Sequence, residues 1–321
     1  MEKPEIYDKP FKTYEEMIAI MESRNIIVEN KAFALSALQN FSYYGLINGY
    51  KNTFLQKSNS DLFQNGTKFE ELYTLHLIDT SLNSILFKYI LYVEKALKSR
   101  ISYRVSEVYG VYTDKNDFSL TNTADYLCRK NYSNSSGRRY NILQSLKKCI
   151  SNDRNNPIMA HYLNDRNHVP PWILTNDDKA AICDSLISPG LFTADETKEF
   201  LKKIFELTKE YRNKIAHGNR TFSMLNLPQL PKKQLMTLSY NFVSEEEYNN
   251  RIGQNDTLAV LLAILIVLRD SYIAKNLVEE LKVLLAPYMQ TTFNGYTIFD
   301  LLGFPPDIFN RFDTLLRHQY I

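Results

Sequence analysis

Apolar residues return every three or four positions through most of this chain, and that period constrains the fold more than any other feature. From Phe69 to Val108, Leu72, Leu75, Leu82, Ile85, Tyr89, Tyr92, Val93, Leu97 and Ile101 keep to it. A helix that long is uncommon, so a bend is expected near Asp79-Thr80-Ser81, with Gly110 as the stop. Tyr14 to Arg24 carries Met17, Ile18 and Met21 on one side. Lys31 to Phe54 carries Phe33, Ala37, Phe41, Tyr44 and Ile47 and reads as one helix. Thr193 and Glu196 form a capping box that opens a helix whose buried stripe is Phe200, Ile204, Leu207, Tyr211 and Ile215, and Gly218 closes it. Another long helix is expected over about 256–284, and a short one after Pro305-Pro306. Shorter helices are expected over 139–151 and 157–164, before Pro170-Pro171-Trp172 breaks the chain. Alternating strand patterns are scarce, so the fold class is all-α.

The three cysteines, Cys128, Cys149 and Cys183, form no C-x-x-C pair and read as reduced thiols. With 44% apolar residues among 321 and a net charge of +2, the chain is neither disordered nor histone-like. Its 10 glycines argue against a Gly-rich phosphate cradle. The longest apolar run, Leu258 to Leu268, falls short of the roughly 20 residues of a membrane span. The charged N-terminal segment lacks the apolar core of a signal peptide. A cytoplasmic protein without membrane attachment is expected.

No Walker loop, G-x-G-x-x-G, H-E-x-x-H or G-x-S-x-G is present. Of the histidines His76, His161, His168, His217 and His318, only His217 stands in a distinctive setting. It follows Arg212-Asn213-Lys214 at the end of the capped helix, five residues after Arg212. At roughly 100° per residue the two project on flanking sides of one face, within reach of a single phosphate. Histidine titrates near neutral pH and can take or return a proton at a ribose hydroxyl, while an arginine fork holds the phosphate. That chemistry calls for no metal and no cofactor. The plainer alternative is a helix-end pair whose cations cap free carbonyls. A wider spacing, seven residues instead of five, occurs at Arg154/His161, interrupted by Pro157, and at Arg311/His318, where Phe312, Leu315 and Leu316 indicate packing.

Charge is unevenly spread. Residues 129–148 hold Arg129, Lys130, Arg138, Arg139, Lys147 and Lys148 and no acid, with Tyr132 and Tyr140 interleaved. Cations and aromatics on a loop suit single-stranded RNA, and a solvated basic loop is the alternative. Residues 88–104, including Lys98 and Arg100, and residues 198–220, including Arg220, are also net basic. The near-neutral total is thus a cancellation. The aromatic run Phe41, Tyr43, Tyr44 and Tyr50 reads as core or dimer packing, with base stacking as the other use.

Arg212-Asn213-x-x-x-His217 resembles the R-N-x-x-x-H signature of HEPN-domain ribonucleases. The flanking segments resemble the Abi-like (AbiD/AbiF) abortive-infection phage-resistance family. They are Lys9-Pro10-Phe11-Lys12-Thr13-Tyr14, Asn40-Phe41-Ser42-Tyr43-Tyr44-Gly45-Leu46-Ile47-Asn48-Gly49-Tyr50, Tyr92-Val93-Glu94-Lys95-Ala96-Leu97-Lys98-Ser99-Arg100, Val169-Pro170-Pro171-Trp172 and Leu301-Leu302-Gly303-Phe304-Pro305. Thr175-Asn176-Asp177-Asp178 departs from the pattern that follows the tryptophan in that family.

The resemblance implies a HEPN-like helical bundle. Residues 1–66 would be an N-terminal helical extension, 67–287 the core with inserted helices at about 111–192, and 288–321 a tail packed on it. It implies Arg212 and His217 as catalytic residues, with Asn213, Lys214 and Glu94 in support. Glu94 would orient Arg212 unless it serves only as an i,i+4 partner of Lys98. It further implies a homodimer that brings two motifs together and a substrate or partner RNA, small non-coding RNA included. The alternatives are a catalytically silent RNA-binding module and a protein partner in a toxin–antitoxin pair.

Overall fold

A computed structural model describes residues 11–57, 60–109, 161, 191–224 and 226–320. The chain divides into two compact units. One comprises Met1–Lys88, Leu207–Leu262 and Asp270–Ile321, and the other Tyr89–Glu206 with Ala263–Arg269. The fold is all-α, as the apolar period requires. Among the described residues the strands amount to one hairpin, β1 (Thr292–Phe293) with β2 (Tyr296–Thr297), turned by Asn294 and Gly295 at φ 47° and 90°.

In the first unit, α1 (Tyr14–Ser23) starts at a capping box. The Thr13 amide donates to Glu16 at 2.8 Å, and the Glu16 amide donates back to Thr13 Oγ1 at 3.2 Å. Ile18 and Met21 are its buried side. The expected helix over 31–54 is three pieces: α2 (Lys31–Asn40), a π-turn at Tyr44–Asn48, and α3 (Lys51–Phe54). The physical reason is local. Phe41 adopts extended angles, Ser42 Oγ accepts from the Gly45 amide at 3.0 Å, and Gly45, Asn48 and Gly49 are poor helix formers.

α4 (Phe69–Tyr109) runs for 41 residues. It continues without interruption through Asp79-Thr80-Ser81, and hydroxyls there bond back to carbonyls of the preceding turn. Thr80 Oγ1 donates to the His76 carbonyl and Ser84 Oγ to that of Thr80, each at 2.9 Å. Leu72, Leu75, Ile78, Leu82 and Leu86 are its buried side in the first unit, and Tyr89, Ile90, Val93 and Leu97 in the second.

α5 (Ala194–Ala216) begins at the Thr193/Glu196 box, with reciprocal bonds of 3.0 and 3.3 Å. Phe200, Ile204, Leu207 and Tyr211 are buried as the spacing predicts, whereas Ile215 is only half-buried. α6 (Lys232–Leu238) and α7 (Glu245–Asn249) follow, in a segment whose S-x-x-E box at Ser244/Glu247 gave a signal that the apolar pattern obscured.

The expected helix over 256–284 is two, α8 (Thr257–Val267) and α9 (Ser271–Leu285). Asp270 caps the second by accepting from the Ile273 amide at 3.0 Å, so the apolar run ends where a new N-terminus begins. Residues Leu258 to Leu268 are buried all round. α10 (Ile298–Leu302) and α11 (Ile308–Tyr320) complete the first unit.

Arg311 of α11 forms a bidentate pair with Glu247 at 2.8 and 2.9 Å and also donates to the Phe242 carbonyl. His318 stacks on Tyr240 with centroids 4.9 Å apart. Both residues of that chance motif therefore serve packing. Among the described residues no helix is long and apolar enough to cross a membrane. The helices expected over 139–151 and 157–164 lie outside the described residues, apart from helical, exposed His161.

Candidate active site

The end of α5 is closed by a left-handed glycine. Gly218 has φ +78°, its amide donates to Ile215 O at 3.0 Å, and the Asn219 amide donates to Lys214 O at 2.9 Å. This six-to-one and five-to-two pairing is the Schellman arrangement, and it makes His217 the C-cap that follows Ala216, the last residue of the helix. The His217 amide is satisfied by the Asn213 and Lys214 carbonyls at 3.1 and 3.2 Å, while its side chain is exposed.

His217 borders a cleft of about 930 Å³ within the first unit. Ile215 and residues 217–220 form one wall. The stripe His76, Asp79, Thr80, Asn83, Ser84 and Phe87 of α4 forms another, and Ser42, Tyr44 and Gly45 of the π-turn a third. Arg212, on the preceding turn of α5, is half-buried and does not line this cleft; its Nη2 donates to Asn213 Oδ1 at 3.0 Å. Lys214 lies 3.9 Å from Glu210.

Beneath the cleft is a polar network that the sequence reading did not anticipate. Asp79 is 2% exposed and sits in the apolar register Leu72, Leu75, Leu82, Leu86. It accepts the Thr221 amide at 2.8 Å and the Tyr50 hydroxyl at 3.2 Å. Thr221 Oγ1 donates to Asn83 Oδ1 at 2.7 Å, and Asn83 Nδ2 reaches the Asn219 carbonyl at 3.4 Å. The Tyr211 hydroxyl lies within 3.4 Å of Thr221 Oγ1 and 3.3 Å of Thr257 Oγ1. One buried carboxylate and one amide thus hold the strand of chain that leaves His217. The signal was available: a lone Asp at a core position of an amphipathic helix needs partners.

Burial raises the Asp79 pKa to about 6 against the lowering effect of its Thr221 and Tyr50 bonds. Burial, reinforced by the Asp79 charge, pushes the Tyr50 hydroxyl above its ordinary range, and burial does the same to Tyr211. His76, whose Nδ1 lies 3.4 Å from the Tyr50 hydroxyl, is lowered by burial and then by the Arg220 charge.

Arg220 serves partly as structure. Its Nη2 donates to the Tyr44 and Gly45 carbonyls at 3.1 and 2.8 Å, and its guanidinium lies 5.9 Å from the Tyr44 ring centre and 5.4 Å from that of Tyr50. Gly49 permits this approach, since a Cβ there would collide with the guanidinium. Glu94 (half-buried), Lys98 (exposed) and Arg100 belong to the second unit, and Arg100 donates to the Val267 carbonyl at 2.8 Å. Arg129, Lys130, Arg138 and Arg139 lie outside the described residues.

A helical protein with a histidine-bearing cleft at a helix end is thus the class that fold and site define. The Abi-like protein family matches residues 36–223, more than half of the 321-residue chain, and the chain belongs to that family. The matched span contains every residue that lines the cleft, together with Arg212 and Asn213. Comparison with curated proteins and with solved structures gives no match. Membership in the family points to abortive-infection phage defence.

Proposed function

We propose that this chain is a HEPN-type endoribonuclease of phage defence, with His217 as the proton-transfer group and Arg212 as the phosphate ligand. The observation that carries the reading is the placement of His217, an exposed imidazole fixed at the closed end of a capped helix and opening on a cleft wide enough for a nucleotide. The 2′-hydroxyl oxygen of a ribose attacks the adjacent phosphorus and the P–O5′ bond breaks. The products are a 2′,3′-cyclic phosphate and a 5′-hydroxyl. One proton leaves the 2′-hydroxyl and one reaches O5′, the exchange a histidine near neutral pH supports. The reaction calls for no metal or cofactor. Asn213, hydrogen-bonded to Arg212, and Lys214 support the pair. Glu94 is proposed in a supporting role, and Lys98, Arg100, Arg220 and the basic tract at 129–148 are proposed to contact RNA. With one such motif per chain, two chains would supply a composite site, so the active form is proposed to be a homodimer.

Purified protein incubated with RNA in EDTA tests this directly. Cleavage leaving cyclic phosphates, reduced about 100-fold or more by His217→Ala, is the expected result. A solution mass of one chain would overturn the composite site.

A second reading draws on a specific observation, that Arg212 does not line the cleft that His217 borders. On that reading the chain binds RNA, small non-coding RNA included, without cutting it. Tight binding with no cleavage by either protein would support it.

A further inference from the structure

Tyr44 is the exposed member of the aromatic run. Tyr50 is buried at 3% exposure, whereas the Tyr44 ring is 69% exposed on the wall of the cleft that holds His217. A large ring left in solvent contributes little to the core, and this one is not loosely held. The π-turn at Tyr44–Asn48 fixes its backbone, and Arg220 binds the carbonyls of Tyr44 and Gly45. The Arg220 guanidinium lies 5.9 Å from the Tyr44 ring centre and 5.4 Å from that of Tyr50, in the space that Gly49 leaves. A rigid aromatic face beside a cation, opening on a cleft with hydroxyl and amide side chains from Thr80, Asn83 and Ser84, matches the chemistry by which proteins hold unpaired bases.

We propose that Tyr44 is a stacking platform for an unpaired nucleobase, which makes the cleft a binding site for single-stranded RNA that runs past His217. Arg220 is its positioning residue, since it orients the ring and the turn, and the sugar–phosphate backbone follows the polar stripe of α4. This rests on the ribonuclease reading only for the direction in which the strand passes His217. Binding itself does not require catalysis. A double helix presents no free base face at such a platform, so the ligand is a strand or a loop.

The test is fluorescence anisotropy of a labelled single-stranded RNA oligonucleotide against the full-length His217→Ala protein in EDTA, with Tyr44→Ala, Tyr44→Phe and Tyr44→Trp added to that background. Loss of one stacked base weakens binding about 5- to 100-fold, so Tyr44→Ala should do so while Phe and Trp retain affinity. An oligonucleotide with abasic positions should bind the Tyr44 protein weakly and erase the difference between Tyr and Ala. Because the ring is exposed the variant should fold, and unchanged thermal melting of Tyr44→Ala verifies it. Equal affinities with and without the Tyr44→Ala change would overturn the proposal, as would no RNA binding at all. If Tyr44→Ala lowers the solution mass and leaves RNA affinity unchanged, the ring is a contact between copies of the chain, and the proposal fails. Tyr44-dependent binding without cleavage by the wild type would sustain the platform and refute the ribonuclease. Cleavage indifferent to Tyr44 would do the reverse.

Discussion

The Thr221 amide donates to Asp79 Oδ1 at 2.8 Å, across 142 positions of sequence, and this bond holds the chain that leaves His217 against α4. Its strength lies in burial. Asp79 is 2% exposed and Thr221 6%, so water offers neither partner an equivalent.

The buried carboxylate makes stability depend on pH in a direction opposite to that of a salt-bridged acid. The folded pKa of Asp79 is about 6 and the ordinary value 3.8, so the folded protein holds this proton more tightly. The contribution is fully present below about pH 4 and is lost as pH rises through 6, a change of about 3 kcal/mol. Asp79→Asn keeps an acceptor for Thr221 and removes the titration. Urea unfolding at pH 5 and pH 7.5 should show a smaller pH difference in the variant than in the wild type. Asp79→Ala should cost about 2–4 kcal/mol at pH 5, because it leaves the Thr221 amide and the Tyr50 hydroxyl without this partner, and less at pH 7.5, where the wild type has already lost the titration contribution.

Gly49→Ala should displace Arg220. The backbone there is unstrained at φ −70°, so any loss comes from the clash with the guanidinium, which is tied to two carbonyls and cannot simply swing aside. A destabilisation of about 1–2 kcal/mol is expected, comparable with that of Arg220→Ala. The double variant should cost less than the sum, because its second change removes the atoms that clash. Additive melting data would contradict the close approach.

Gly218→Ala meets no neighbouring atom, yet φ +78° places an L-residue in the left-handed region. The expected cost is about 1 kcal/mol, and on the ribonuclease reading proposed above the accompanying shift of His217 lowers RNA cleavage as well. Cleavage rates measured well below the melting temperature separate the two effects.

Arg311 and Glu247 join α11 to α7, with side chains 24% and 22% exposed. The Arg311 hydrogen bonds hold the Glu247 pKa below its ordinary value, so this pair stabilises above about pH 4.5 and its contribution fades as pH falls through the lowered pKa. Arg311→Lys cannot reproduce the bidentate fork or the bond to the Phe242 carbonyl, and a loss of about 1–2 kcal/mol at pH 7 is expected in chemical denaturation.

Much of the fold was legible because helices announce themselves locally. The Thr193/Glu196 box, the stripe through Tyr211 and the Gly218 stop are written within the segment they shape, and the structure reproduces them. The misread elements turned on competition between local signals. The apolar stripe from Phe33 to Ile47 predicted one helix, and Ser42 with the glycines around it broke that helix into three pieces. Likewise Asp270, a cap in an otherwise continuous pattern, divided α8 from α9.

The order of residues by itself determined the helical class, the position of His217 at a helix end, and membership in the Abi-like family. Periodicity and capping act over one or two turns, so they can be read from neighbours in the chain. Only the tertiary structure decided that Asp79 would be the buried anchor of residue 221. It also decided that Arg220 would turn back onto Tyr44 and Tyr50, and that the cleft beside His217 would be walled by α4 and the π-turn. Those relationships join residues more than a hundred positions apart, and the desolvation that gives them their strength exists only once the core has closed.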